Sequence, residues 1–153
     1  MGHVKVSVPI NAPMELAWKL SNDLERFPDW QTQLIEVTDV IGTYPAVGSA
    51  FVSINRIAGR RFETRTEVIE AEPPRRLVQR VTMPGGHATF TSWFEQAPTG
   101  GLLATFEAHY ELPGGFFGTL AEKLFFDRAM ERSVRHTNEN MKAMIEAEAL
   151  VPA

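Results

Sequence analysis

The sequence predicts an α+β domain in which a curved, seven-stranded antiparallel sheet wraps around one long C-terminal helix and leaves an internal cavity. Three observations predict it. An alternating, strand-like run opens the chain and passes straight into a helix. Six period-two runs divided by turn residues come next. The closing stretch 119–148 then holds neither proline nor glycine. The element order is therefore β-α-α-β6-α.

Residues 3–10 (HVKVSVPI) place Val4, Val6 and Val8 on one face, the pattern of a half-buried strand. Pro13 suits the first position of a helix, where its missing N–H costs nothing, and Glu15 meets the positive end of the helix dipole. Leu16, Ala17, Leu20 and Leu24 recur at helical spacing, while Pro28 breaks the next segment and leaves Phe27 and Trp30 on a short helix or turn.

From residue 34 the period becomes two. Strand runs are expected at 34–42, 49–58, 61–71, 76–83, 87–96 and 102–112. They are separated by Tyr44-Pro45, Gly59-Arg60, Pro73-Pro74, Pro84-Gly85-Gly86 and Pro98-Thr99-Gly100-Gly101. Leu112-Pro113-Gly114-Gly115 ends the sheet. The helix expected over 116–148 repeats Met130, Val134, Thr137, Met141 and Met144/Ile145 at three and four. Its first turns are rich in Phe116, Phe117, Leu120, Leu124, Phe125 and Phe126.

The period also predicts which side chains face inward. On 102–112 these are Leu102, Ala104, Phe106, Ala108, Tyr110 and Leu112, with Thr105, Glu107, His109 and Glu111 opposite. Small residues beside large aromatics leave room that a filled core would not. The matching faces are Ala88, Phe90, Ser92 and Phe94 on 87–96, and Phe62, Thr64, Thr66 and Val68 on 61–71. The run 49–58 reads equally well with Phe51, Ser53 and Asn55 inward or with Val52, Ile54 and Arg56 inward. The hydroxyls of Thr64, Thr66 and Ser92 either orient a ligand in an apolar pocket or hydrogen-bond within the sheet interior.

The totals exclude several classes. A length of 153 residues suits a single domain, 1–153, that buries a core without staples. No cysteine is present, so disulfides, thiol nucleophiles and cysteine metal sites are out, and a cytoplasmic location is expected. A net charge of −4 without a basic patch argues against nucleic acid. The first residues lack the apolar core of a signal peptide, and no apolar run approaches the ~18 residues of a membrane span. No stable membrane insertion is expected, and the chain is read as a monomer or homodimer.

With those elements in place, Ile10-Asn11-Ala12-Pro13, Trp18, Asn22-Asp23 and Phe27-Pro28-Asp29-Trp30 resemble the START-related SRPBCC helix-grip proteins. Glu70-Ala71-Glu72-Pro73-Pro74-Arg75-Arg76-Leu77, Tyr110-Glu111-Leu112-Pro113-Gly114-Gly115 and Glu139-Asn140-Met141-Lys142 follow the same pattern. The resemblance covers essentially the whole chain and is to the bacterial polyketide cyclase/dehydrase-like branch. It implies a helix-grip fold with a deep apolar cavity, roofed by the short second helix. It also implies a hydrophobic small molecule as partner: a polyketide, lipid or isoprenoid, with polyketide cyclisation and aromatisation in some members. The matched motifs are structural, so they speak for the fold more than for the activity.

Candidate ligand contacts are Trp30, Phe51, Phe62, Thr64, Thr66, Phe90, Ser92, Phe106, Ala108, Tyr110, Phe117, Leu120 and Leu124. Tyr110 is the candidate proton donor for aldol and dehydration steps, or else a core tyrosine with its hydroxyl satisfied. Arg56, Arg65 and Arg80 lie mid-strand, where an outer solvated position competes with an inward one. Trp30 either stacks on a ligand or pins the short helix to the sheet. Phe116, Phe117, Leu120 and Leu124 form a gate, or a patch for dimerisation or membrane contact. The four histidines have no ligand spacing along the chain, so neither a metal nor a cofactor is expected. Ser92 has no base partner for a hydrolase triad. Three readings stand: a ligand-binding or cyclase protein, a non-catalytic lipid or quinone carrier or sensor, and a protein-interaction module resembling co-chaperones.

Overall fold

The computed structural model describes residues 2–98, 100–111 and 119–150. Strand β1 (Gly2–Ile10) leads to helix α1 (Met14–Ser21), a 3-10 turn (Leu24–Arg26) and the single-turn α2 (Phe27–Trp30). Then follow β2 (Leu34–Ile41), β3 (Ala50–Ile57), β4 (Arg60–Glu72), β5 (Arg76–Met83), β6 (Gly86–Gln96), β7 (Leu102–Glu111) and α3 (Leu120–Ala149). The seven strands form one antiparallel sheet in the order β1-β7-β6-β5-β4-β3-β2. The helix-grip architecture expected from the sequence is the one observed. The turn Leu112-Pro113-Gly114-Gly115, with Phe116 and Phe117, lies outside the described residues.

Two local boundaries differ from expectation. Pro13 is extended (φ −65°, ψ 143°) and caps α1 rather than entering it, its carbonyl accepting from the Ala17 N–H. The helix stops at Ser21, before Leu24. There the Asn22 N–H and side-chain amide both turn back to the Trp18 carbonyl, and the Asp23 carboxylate accepts from the Glu25 N–H to start the 3-10 turn. Local side-chain hydrogen bonds of this kind compete with helix continuation.

The hairpins follow turn chemistry. Ile57 pairs with Arg60 across the two-residue loop Ala58-Gly59, both with positive φ (53° and 77°), a type I′ turn. Gly101 has φ +69°, and a Cβ there would lie 2.8 Å from the Ile10 carbonyl oxygen, so both torsion and space require glycine. The outer strand β2 is irregular, with register shifts at Leu34/Glu36 and Thr38/Ile41.

The helix α3 lies across the concave face and is held at both ends. Towards its C-terminus, Met141 and Ile145 pack with Ile10, Ala17, Leu20, Phe94, Leu102 and Ala104. Nearer its N-terminus, Phe126 and Met130 pack with Val4, Val6, Phe62, Val81 and Ala88. Lys142 Nζ donates to the Pro9 carbonyl and to Glu146 Oε2 (both 2.7 Å), and Glu146 Oε2 accepts from the Asn11 N–H (2.8 Å). The Asn11 N–H and then Lys142 hold the Glu146 carboxyl below the usual carboxylate range.

Ile145 is fully buried in the larger anchor. Ile145→Ala is expected to cost about 2–5 kcal/mol. Urea unfolding should show a lower midpoint at unchanged slope, whereas a loss within error would mean that this end of α3 is not a packing anchor.

Candidate functional site

Between the two anchors a cavity remains under the middle of α3. The cavity has a volume of about 190 Å3, far more than a single buried water needs. Its floor is the concave sheet: Phe51, Ser53 and Asn55 of β3; Phe62, Thr64 and Thr66 of β4; Leu77, Gln79, Val81 and Met83 of β5; Phe90, Ser92 and Phe94 of β6; Ala104 and Phe106 of β7. Its roof is α3 from Phe126 to Met141, and Phe27 and Trp30 close one side.

Strand alternation sets the polarity of this floor. The ambiguous strand β3 turns Phe51, Ser53 and Asn55 inward, and Arg56 is exposed. Ser53 and Thr64 then face each other across the β3/β4 ladder, their hydroxyls 2.8 Å apart, and Asn55 Nδ2 donates to both (3.0 and 3.1 Å). One strand further, Gln79 Nε2 donates to the Tyr44 hydroxyl at 2.6 Å. The polar groups thus collect on the β3–β5 side, facing the aromatic pair Phe90 and Phe106 (centroids 5.2 Å apart) on the other. Thr66, Ser92 and, on the roof, Asn138 line the cavity without a side-chain hydrogen bond among the described residues.

Of the two roles that the sequence left open for Trp30, the packing one is seen. Its ring packs edge-on against Phe27 (5.7 Å) and joins the Ile145 cluster, so it pins α2. It also lines the cavity, and its indole Nε1–H is buried without a hydrogen-bond partner among the described residues. An unpaired buried donor costs roughly 1–3 kcal/mol.

Eight of the thirteen candidate contacts come together around this space: Trp30, Phe51, Phe62, Thr64, Thr66, Phe90, Ser92 and Phe106. Phe117 lies outside the described residues. Ala108 is buried beyond the lining. Tyr110 also falls outside it: the ring covers Gly2 on β1, and the hydroxyl donates to Asp127 Oδ1 at 2.5 Å. Burial first, and then Asp127, push its pKa up. Leu120 and Leu124 are 72% and 50% exposed. Leu124 stands two residues from Phe126, about 200° around the helix, so Phe126 and not Leu124 faces the sheet. Arg65 and Arg80 are on the exposed face too.

Tyr44, Gln79 and Asn138 are lining residues that the sequence pattern did not single out. Tyr44 was legible only as turn punctuation beside Pro45, whereas its ring packs on Phe27 and Phe51 (5.8 and 5.3 Å). Burial pushes its hydroxyl pKa well above the usual tyrosine range, and the Gln79 hydrogen bond opposes this only in part. Among the described lining residues there is no Asp, Glu, His or Lys; Arg75, in the β4–β5 turn, is the one charged group.

The comparisons agree with this architecture. The family model described as polyketide cyclase / dehydrase and lipid transport matches residues 1–146. No curated protein matches the chain in sequence. A crystal structure of TTHA0849 from Thermus thermophilus is similar at TM-score 0.80 and 19% identity, with 96% of this chain and 99% of that one covered. The Zhui aromatase/cyclase from a Streptomyces species is similar at TM-score 0.75 and 16% identity, covering 95% and 94%. The di-domain ARO/CYC BexL gives TM-score 0.73 and 16% identity over 99% of this chain and 50% of that one. At these identities the likeness is one of fold.

Tyr44→Phe strands the buried Gln79 amide and is expected to destabilise by about 1–3 kcal/mol. Both raised tyrosines keep their protons in the folded chain at a pH where the unfolded chain releases them. Their stabilising effect is whole below about pH 10 and is lost as pH rises further towards the folded-state values. Unfolding free energy measured from pH 8 upward should therefore fall more steeply above about pH 10 in the native chain than in Tyr44→Phe/Tyr110→Phe. Equal slopes would show that neither hydroxyl is buried as described.

Proposed function

The chain belongs to the polyketide cyclase / dehydrase and lipid transport family, and we propose that it holds one small, largely apolar ring molecule bearing carbonyl or hydroxyl groups between its sheet and α3. The distribution of polarity in the cavity carries this reading. Aromatic and aliphatic walls supply the affinity by burying apolar surface, while Asn55, Gln79, Thr66, Ser92 and Asn138 fix the orientation. A purely hydrocarbon guest would leave Thr66, Ser92 and Asn138 without a side-chain partner, so an oxygenated aromatic or polyketide-like molecule fits better than a simple acyl chain.

The lining also bears on catalysis. With no carboxylate or imidazole among its described residues, the cavity offers no conventional general base, and Tyr110 is turned away from it. Holding and carrying the molecule is the reading these residues support best. A cyclase reading has the family and the aromatase/cyclase fold neighbours in its favour. It would rest on confinement of a reactive chain in a bent pose, with hydroxyl and amide groups stabilising enolate oxygen.

Ser92 lies on the cavity floor beside Leu77 and Phe106, so Ser92→Trp should fill the space. Titration with 2-naphthol, followed by quenching of tryptophan emission, is expected to saturate at one molecule per chain in the native protein. The filled variant should bind at least about tenfold more weakly, the loss of roughly 1.4 kcal/mol or more. Unchanged affinity in a variant with native circular dichroism would place the binding elsewhere and sink the proposal.

A further inference from the structure

The outer face of the sheet carries a second constellation, remote from the cavity in chemistry and on the opposite side of the strands. His3 and His109 are direct partners in the β1/β7 ladder, and their rings stack with centroids 4.4 Å apart. Glu107, two residues before His109 on the same face, brings Oε2 to 2.7 Å from His3 Nε2 and 3.5 Å from His109 Nε2. The three ligand atoms all lie within 4.8 Å of one another. The separation of the histidines along the chain concealed this, because strand register rather than local spacing brings them together. The histidines therefore do not all stand apart, as the chain spacing implied.

We propose that His3, Glu107 and His109 form a surface site for a zinc-type divalent ion. Two imidazoles and one carboxylate are a ligand set suited to zinc and its first-row neighbours, with water completing the shell. Zinc–ligand bonds of roughly 2.0–2.2 Å put tetrahedral ligand atoms about 3.3–3.5 Å apart. The present separations bracket that value, and side chains exposed as these are can close the remainder by small rotations. On binding, the hydrogen bond from His3 Nε2–H to Glu107 is replaced by a bond from each to the ion; the Nε2 proton is exchanged through solvent, so that the ring ligates as the neutral imidazole with its proton on Nδ1. Lys5, opposite Glu107, is the nearby cation, and its amine is drawn aside over the Trp93 ring, 5.6 Å from the centroid. His87 and Glu111, 3.6 Å apart at the next position of the same face, add a further imidazole and carboxylate at the rim. The ion would bridge β1 to β7, the seam between the first and last strands of the sheet.

The test is calorimetric titration of the untagged full chain with zinc chloride, alongside thermal unfolding with and without the metal. One ion per chain should bind saturably and raise the unfolding midpoint, and chelator should reverse the rise. His109→Ala and Glu107→Gln should each weaken binding at least about tenfold, whereas His136→Ala, on the exposed face of α3, should not change it. Each variant is compared with its own metal-free unfolding, so a change in fold does not mimic lost binding. Absence of saturation up to about 1 mM zinc, or binding untouched by His109→Ala, would overturn the proposal.

Discussion

The fixing of α3 to the β1–α1 junction is the constraint on which the rest of the structure depends. Lys142 and Glu146, one turn apart, close on the Pro9 carbonyl and the Asn11 N–H, two backbone groups left over where strand gives way to helix. Such groups carry a penalty if buried unpaired, and here one ion pair satisfies both. The pair is partly exposed, so its Coulombic contribution is modest. Its geometric effect is larger: it sets the height of the helix above the sheet just where Met141 and Ile145 enter the apolar cluster.

From that height the cavity follows. Phe126 packs edge-on against Phe62 (6.0 Å) and reaches Tyr110 (6.2 Å) near the other end of the helix, so α3 is propped at two points on a concave surface. A straight rod on a curved sheet cannot touch it everywhere. The span between props is bordered by Ser133, Val134, Thr137 and Asn138, residues too short to fill the gap. Thr137 takes part in holding the roof: its hydroxyl accepts from the Thr32 N–H (3.1 Å) and donates to Gln33 Oε1 (3.2 Å). The hollow is thus a product of anchoring and curvature, and the polarity of its floor is a product of strand period.

That division explains what was legible beforehand. Period-two alternation reports faces directly, so Phe62, Thr64 and Thr66 on β4, Phe90 and Ser92 on β6 and Phe106 on β7 could be placed inward from the chain alone. It cannot say how far along a strand the cavity extends, which is why Tyr110 and Ala108 share the inward face yet lie past its end. The long helix misled differently: its first turns carry Leu120, Leu124, Phe125 and Phe126 on more than one face, and period alone does not distinguish Leu124 from Phe126. Tyr44 was hidden because a loop residue has no period at all. The pairing of His3 with His109 depends on which strand lies beside which, a fact of topology rather than of local sequence.

The strand order has a further consequence for how the chain reaches this state. Strands β2 to β7 join neighbours in sequence through short turns, so each pairing closes a small loop. The β1–β7 ladder instead joins Gly2 to Tyr110 and Ile10 to Leu102, across almost the whole meander. Loop-closure entropy weighs against such a contact until the intervening hairpins exist, and sheets with pairings of this span fold slowly. The first strand of the sheet to be made is therefore the one that waits longest for its partner, and its apolar row of Val4, Val6 and Val8 must be kept from other company until the last strand arrives.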